Sequence, residues 1–116
     1  MKIVAGADGL DRIIRITNDP PENSCKPSVD YLFRSMAYHY VGRATGVIMT
    51  GMGSDGTLGL KLMKRNGSII IAQNEASCVV YGMPKVAIES GIADVIAPLD
   101  EIVDEICLTI KYPLAA

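Results

Sequence analysis

A chain of 116 residues, 49% of them hydrophobic, has the size of one domain and enough apolar side chain for one buried core. With 11 basic against 13 acidic residues and a pI near 5.3, it has no basic patch to grip a phosphate backbone, so nucleic acid is excluded as an expected partner. No segment approaches the ~20 apolar residues of a membrane span and no secretory pattern opens the chain, so the expected location is the cytoplasm.

In chain order, the first apolar runs are Ile3 to Ala5 and Ile13 to Ile16, separated by Gly6-Ala7-Asp8-Gly9, which predicts a β-hairpin within residues 1–19. Asn18-Asp19-Pro20-Pro21-Glu22-Asn23 follows as a loop, because two prolines remove amide donors and Asn and Asp favour turns. Ser28 is placed to cap a helix running to Val41, with Val29, Leu32, Phe33, Met36 and Tyr40 on one face. Ala44 to Thr50 lacks polar alternation and reads as a strand covered on both sides. Thr57 to Asn66 reads as a helix with Leu58 and Leu62 four apart and Gly67 as its stop. Ser68 to Ala72 is a strand, Pro84 to Ser90 a short helix closed by Gly91, and Ala93 to Ala97 a strand. The last helix is expected to start near Asp100 and to bury Ile102, Val103, Ile106, Cys107 and Ile110, with Asp100, Glu101, Asp104 and Glu105 favouring its positive end.

Alternating strands and helices with short connections give an α/β fold, a parallel sheet flanked by helices in a Rossmann-like three-layer sandwich. Ligands of such sheets gather where strands end at their carboxyl side, which directs attention to the loop after Thr50.

That loop, Gly51-Met52-Gly53-Ser54-Asp55-Gly56, satisfies the G-x-G-x-x-G pattern of dinucleotide sites, with Glu75 near the end of the next strand. The mechanism of such sites needs helix amides to receive a pyrophosphate, and Asp55 sets a carboxylate where that anion belongs. Two anions a few ångström apart repel by roughly 1 to 4 kcal/mol at the dielectrics of water and protein surface, so a nucleotide is disfavoured. The plain structural alternative is that the glycines allow a tight turn and Asp55 caps the following helix.

Cys25, Cys78 and Cys107 are odd in number, widely spaced and without a C-x-x-C pair. They are expected to be reduced, mostly buried thiols, and no metal site or cofactor is expected. Met36, Met49, Met52, Met63 and Met83 read as core or loop filler and not as a metal or partner stripe, and Tyr31, Tyr38, Tyr40 and Tyr81 are too scattered to form a stacking platform.

Three longer stretches, Lys26-Pro27-Ser28-Val29-Asp30-Tyr31-Leu32-Phe33-Arg34-Ser35, Gly46 to Gly56, and Ile71-Ala72-Gln73-Asn74-Glu75 through Lys85, together with Pro98-Leu99-Asp100-Glu101-Ile102, occur in one order with little room for insertion. They resemble the C-terminal half of the catalytic domain of the chemotaxis protein-glutamate methylesterases. The resemblance covers residues 20–102, leaving the hairpin of 1–19 before it and the helix and tail of 103–116 after it, all in a single partial catalytic domain. It implies a serine hydrolase that removes methyl groups from glutamate methyl esters on the cytoplasmic helices of chemoreceptors, with deamidation of receptor glutamines in some relatives. It assigns Asp55 as the acid of a Ser-His-Asp triad and Met52 as a backbone N–H donor to the oxyanion.

The chain departs from that family by carrying neither the serine nucleophile nor the histidine base. Ser54 lacks the glycine spacing of a nucleophile elbow, and His39, the only histidine, falls in the first helix, where the family has no catalytic residue. The chain alone is therefore expected to be inactive. The resemblance further implies a receiver domain in the full-length enzyme, and a sheet missing half its strands is expected to self-associate through its exposed edge. The alternative in another class is a non-catalytic module that binds chemoreceptors or another chemotaxis protein.

Overall fold

The computed structural model describes residues 1–42 and 44–111. The hairpin forms from β1 (Lys2–Ala5) and β2 (Arg12–Arg15), paired antiparallel with Ile3 opposite Ile14. Its turn is closed by Asp8, whose Oδ1 accepts the N–H groups of Leu10 (3.0 Å) and Asp11 (3.1 Å), a use of a short acidic side chain that lets the backbone reverse. Ile3 is buried against α1 (Val29–His39) and donates its N–H to Ser35 Oγ at 2.8 Å, so the hairpin is fastened to that helix by β1, while every residue of β2 is exposed.

β3 (Thr45–Ile48), β4 (Ile69–Gln73) and β5 (Val95–Ala97) form a parallel sheet in that order, with α2 (Thr57–Arg65) and α3 (Met83–Glu89) as the crossovers. The three-layer α/β class read from the sequence is the one found. On one face Gly46, Ile48, Ile70 and Ala72 meet Leu60 and Met63 of α2 and Ala87 of α3, with Phe33 and Met36 of α1 behind α2. The helices close in because Gly59 has no side chain, since a Cβ there would stand 2.5 Å from Phe33 Cβ. On the opposite face α4 (Ile102–Lys111) is joined to the sheet by the hydroxyl pair Thr45–Thr109 at 2.9 Å.

Several expectations change in detail. α1 ends at His39 and not at Val41. In α2 the buried positions are Thr57, Gly59, Leu60 and Met63 while Leu58 is exposed, because the face that meets both α1 and the sheet is set by the glycine contact. The last helix does not start at Asp100: a 3-10 turn, Leu99–Glu101, capped by Pro98, leads into α4. Of the five α4 positions expected to be buried only Ile102 is, Ile106 is half-buried, and Val103, Cys107 and Ile110 are exposed, because a sheet of three short strands is too narrow to cover the helix. The thiols are free, but Cys25 and Cys78 are only half-buried and Cys107 is exposed. The expected tail beyond Lys111 lies outside the described residues.

Candidate active site

The loop that leaves β3 at its carboxyl end is held from beneath by the loop that leaves β4. Gln73, buried at the end of β4, accepts the Thr50 N–H at 2.7 Å through Oε1 and donates through Nε2 to the Ser77 carbonyl at 2.9 Å. Both ends of this buried amide are thus satisfied, which fixes Thr50 without leaving an unpaired polar group in the interior. Thr50 Oγ1 exchanges hydrogen bonds with the Val80 backbone, Gly51 N–H donates to the Val80 carbonyl at 3.1 Å, and Met83 N–H donates to the Gly51 carbonyl at 2.9 Å. Gly82 lets these backbones touch, for a Cβ there would lie 2.6 Å from the Gly51 oxygen and 3.2 Å from Met52 Cα.

Asp55 follows four residues later and is 8% exposed. Its carboxylate points at the start of α1. Oδ1 accepts from Ser28 Oγ (2.8 Å), Asn23 Nδ2 (2.9 Å) and the Asp30 N–H (3.0 Å), and Oδ2 accepts from the Val29 N–H (2.7 Å). Ser28 occupies the N-cap position of α1 without capping it through its own side chain. Its hydroxyl is spent on Asp55, and the cap arrives from another segment. Likewise Asp55 does not cap the helix that follows it: the N-cap of α2 is Gly56, in the left-handed region at φ +103°, and has no side-chain cap bond. The N–H of Gly59 in the first turn of α2 instead donates to Asp30 Oδ1 at 2.8 Å. Each helix start therefore receives a carboxylate from the segment that opens the other, the placement that orphan amides and the helix dipole favour.

Burial of Asp55 works to raise its pKa, yet the amides of Asp30 and Val29 and the side chains of Asn23 and Ser28 together outweigh it and hold the carboxyl below the usual aspartate range. A carboxylate offers about four acceptor positions, two on each oxygen. Among the described residues Oδ1 accepts three hydrogen bonds and Oδ2 only one, from the Val29 N–H.

The same geometry takes up amides that a pyrophosphate would need. In the first turn of α2 the Thr57 N–H is taken by the Ser54 carbonyl (3.4 Å) and the Gly59 N–H by Asp30. Met52, 83% exposed, stands at the crest of the loop, and no hydrogen bond among the described residues occupies its N–H. His39 is remote: it is the last residue of α1, ten residues from the Val29 amide that bonds Asp55, a separation of ~15 Å along the helix, and it lies edge-on to Tyr38. No group of three acidic, His or Cys side chains among the described residues could hold a metal ion.

Sequence reasoning missed the supporting residues. The sequence places Asn23 in a loop, Ser28 at a helix cap and Gln73 just past a strand ending at Ala72, with no support of Asp55 or its loop implied. Their partners lie far along the chain, 32, 27 and 23 residues away, beyond the reach of any local pattern.

The CheB methylesterase family profile matches residues 1–106, taking in the hairpin as well as the sheet. The chain is 58% identical over 111 residues to the protein-glutamate methylesterase/protein-glutamine glutaminase of Desulfotalea psychrophila, covering 96% of this chain and 30% of that protein. It is 50% identical over 99 residues to the protein of the same description in Paraburkholderia xenovorans, covering 85% of this chain and 27% of that one. The crystal structure of the Thermotoga maritima CheB methylesterase catalytic domain matches with a TM-score of 0.84 at 34% identity, over 90% of this chain and 54% of that domain. The chain thus spans under a third of the length of these curated relatives and about half of the solved domain.

Proposed function

Since the chain belongs to the CheB methylesterase family, we propose that it is the acid-bearing part of a catalytic domain that hydrolyses glutamate methyl esters on chemoreceptors, with Asp55 as the carboxylate of the triad. The observation that carries this reading is a buried carboxylate in the loop after β3, its pKa held low, whose Oδ2 accepts a single hydrogen bond among the described residues while Oδ1 accepts three. A carboxylate so held can accept an imidazole N–H, orient the ring and stabilise the imidazolium that forms when the base takes the serine proton. The serine oxygen then bonds to the ester carbonyl carbon and methanol departs with that proton. Water hydrolyses the acyl-enzyme to restore the glutamate. The Met52 N–H, in the same loop and without a hydrogen-bond partner among the described residues, is suited to receive the charge that develops on the carbonyl oxygen. Deamidation of a glutamine follows the same path with ammonia as the leaving group.

The serine and histidine belong to a complementary part of the domain, placed to add strands beside β3, which pairs only with β4 among the described residues. In its absence that edge invites a second copy of the chain. Cytoplasmic chemoreceptor helices as substrate and a receiver domain as regulator belong to the same proposal.

Mixing this chain with the separately expressed upstream part of the Desulfotalea psychrophila relative's catalytic domain tests it. Methanol release from methylated receptor is expected from the mixture and from neither part alone, with Asp55→Asn lowering the rate by roughly 10⁴-fold. A stable complex with no turnover would leave a binding module as the better description.

A further inference from the structure

The amide of Asn23 is the one neutral group shared by the two buried carboxylates. Its Nδ2 lies 2.8 Å from Asp30 Oδ2 and 2.9 Å from Asp55 Oδ1. An NH₂ group carries two hydrogens, and two carboxylate oxygens are two acceptors, so the orientation of this amide follows from its neighbours. We propose that Asn23 is a positioning residue: by donating one hydrogen to each carboxylate it locks the Asp55 group in the rotation that leaves Oδ2, and not Oδ1, for an incoming imidazole. The role of that oxygen rests on the triad reading; the locking of the carboxylate does not.

Three features argue for a built bridge. Asn23 and Ser24 have φ of +51° and +60°, a left-handed pair that costs energy for non-glycine residues and that Asn tolerates better than most. The turn holding them is closed by reciprocal backbone bonds between Glu22 and Cys25, at 3.0 and 2.8 Å, and Glu22 is paired with Arg34 on α1. Asp30 is itself anchored by the Gly59 N–H, so the bridge has one end fixed to α2 and the other on Asp55. A neutral donor is also the side chain this position needs, for an aspartate would bring a third carboxylate and a lysine would compete with the imidazolium for Asp55.

Asn23→Gly is the informative variant, because glycine accepts the left-handed backbone and deletes only the amide. Following the carboxyl carbons by carbon-13 NMR in this chain, Asp55 is expected to titrate at a higher pH in the variant than in the wild type. An unchanged Asp55 midpoint in a folded variant would overturn the proposal. The unaltered chain offers a second readout that needs no substitution: the two Asn23 side-chain amide protons are expected to shift with the Asp55 midpoint, and signals flat across it would also overturn the bridge. Neither readout requires turnover, so a failed reconstitution would sink the triad reading and leave this result standing. In the reconstituted enzyme Asn23→Gly is expected to lower kcat by roughly tenfold or more with KM little changed; loss confined to KM would contradict positioning.

Discussion

The helices on the two faces of the three-stranded sheet differ sharply in how far they are themselves buried. Beneath α2 and α3, Leu60 is 0% exposed and Met63, Ile70 and Ala72 are equally enclosed, with Gly46 and Gly59 drawing backbone and helices together. On the other side Ile71 is also 0% exposed, but of the α4 positions expected to be buried only Ile102 is, while Val103 at 67% and Ile110 at 74% face outward. Apolar spacing alone therefore does not decide burial. It marks a face that wants covering, and the outer side of α4 finds no cover among the described residues.

The contrast can be sharpened by substitution. Leu60→Ala, on the enclosed face, is expected to cost about 2–5 kcal/mol, read as a fall in the denaturation midpoint, because the removed methyls leave a cavity among residues that cannot collapse into it. Gly82→Ala tests the backbone contact that supports Met52; it is expected to cost about 1–3 kcal/mol and to displace the loop, visible as amide shifts from Gly51 to Gly53. Acid stability should separate the polar cluster from both faces. The folded-state pKa of Asp55 is depressed, so its contribution is complete above the unfolded aspartate value near ~4 and is lost as pH falls through the lower folded value. Asp55→Asn is accordingly expected to flatten the loss of stability in that acidic window, as followed by circular dichroism. The smallest change is expected from Val103→Ser, within about 0.5 kcal/mol, since an exposed side chain loses little. With self-association at the β3 edge, the monomer fraction in light scattering is expected to stay unchanged, and a higher fraction would place the contact at α4 instead.

Architecture was legible because periodicity and punctuation agree along most of the chain. Gly67 and Gly91, both at positive φ, stop α2 and α3 where expected, and Pro84 lies in the first turn of α3. The α4 expectation went astray over Val103, Cys107 and Ile110 because an apolar stripe says nothing about whether its partner surface lies in the same chain. Around Asp55 the family resemblance singled out the residue, but its local context pointed to the wrong helix: an acidic residue just before α2 reads as a cap for α2, whereas the carboxylate bonds Val29 and Asp30 at the start of α1. Exchange of caps between two segments is a tertiary event, set by how closely Gly59 lets α1 approach α2, and one-dimensional spacing does not encode it.

The claim on which the functional reading turns is that Oδ2 of Asp55 accepts a hydrogen bond from an imidazole supplied by the complementary part. Low-field proton NMR of the reconstituted pair observes that bond directly. A histidine ring N–H resonance far downfield of the amide region is expected in the wild-type complex, absent from each part alone and lost with Asp55→Ala. A catalytically active complex without an Asp55-dependent resonance would contradict it and leave Asp55 as a helix cap only.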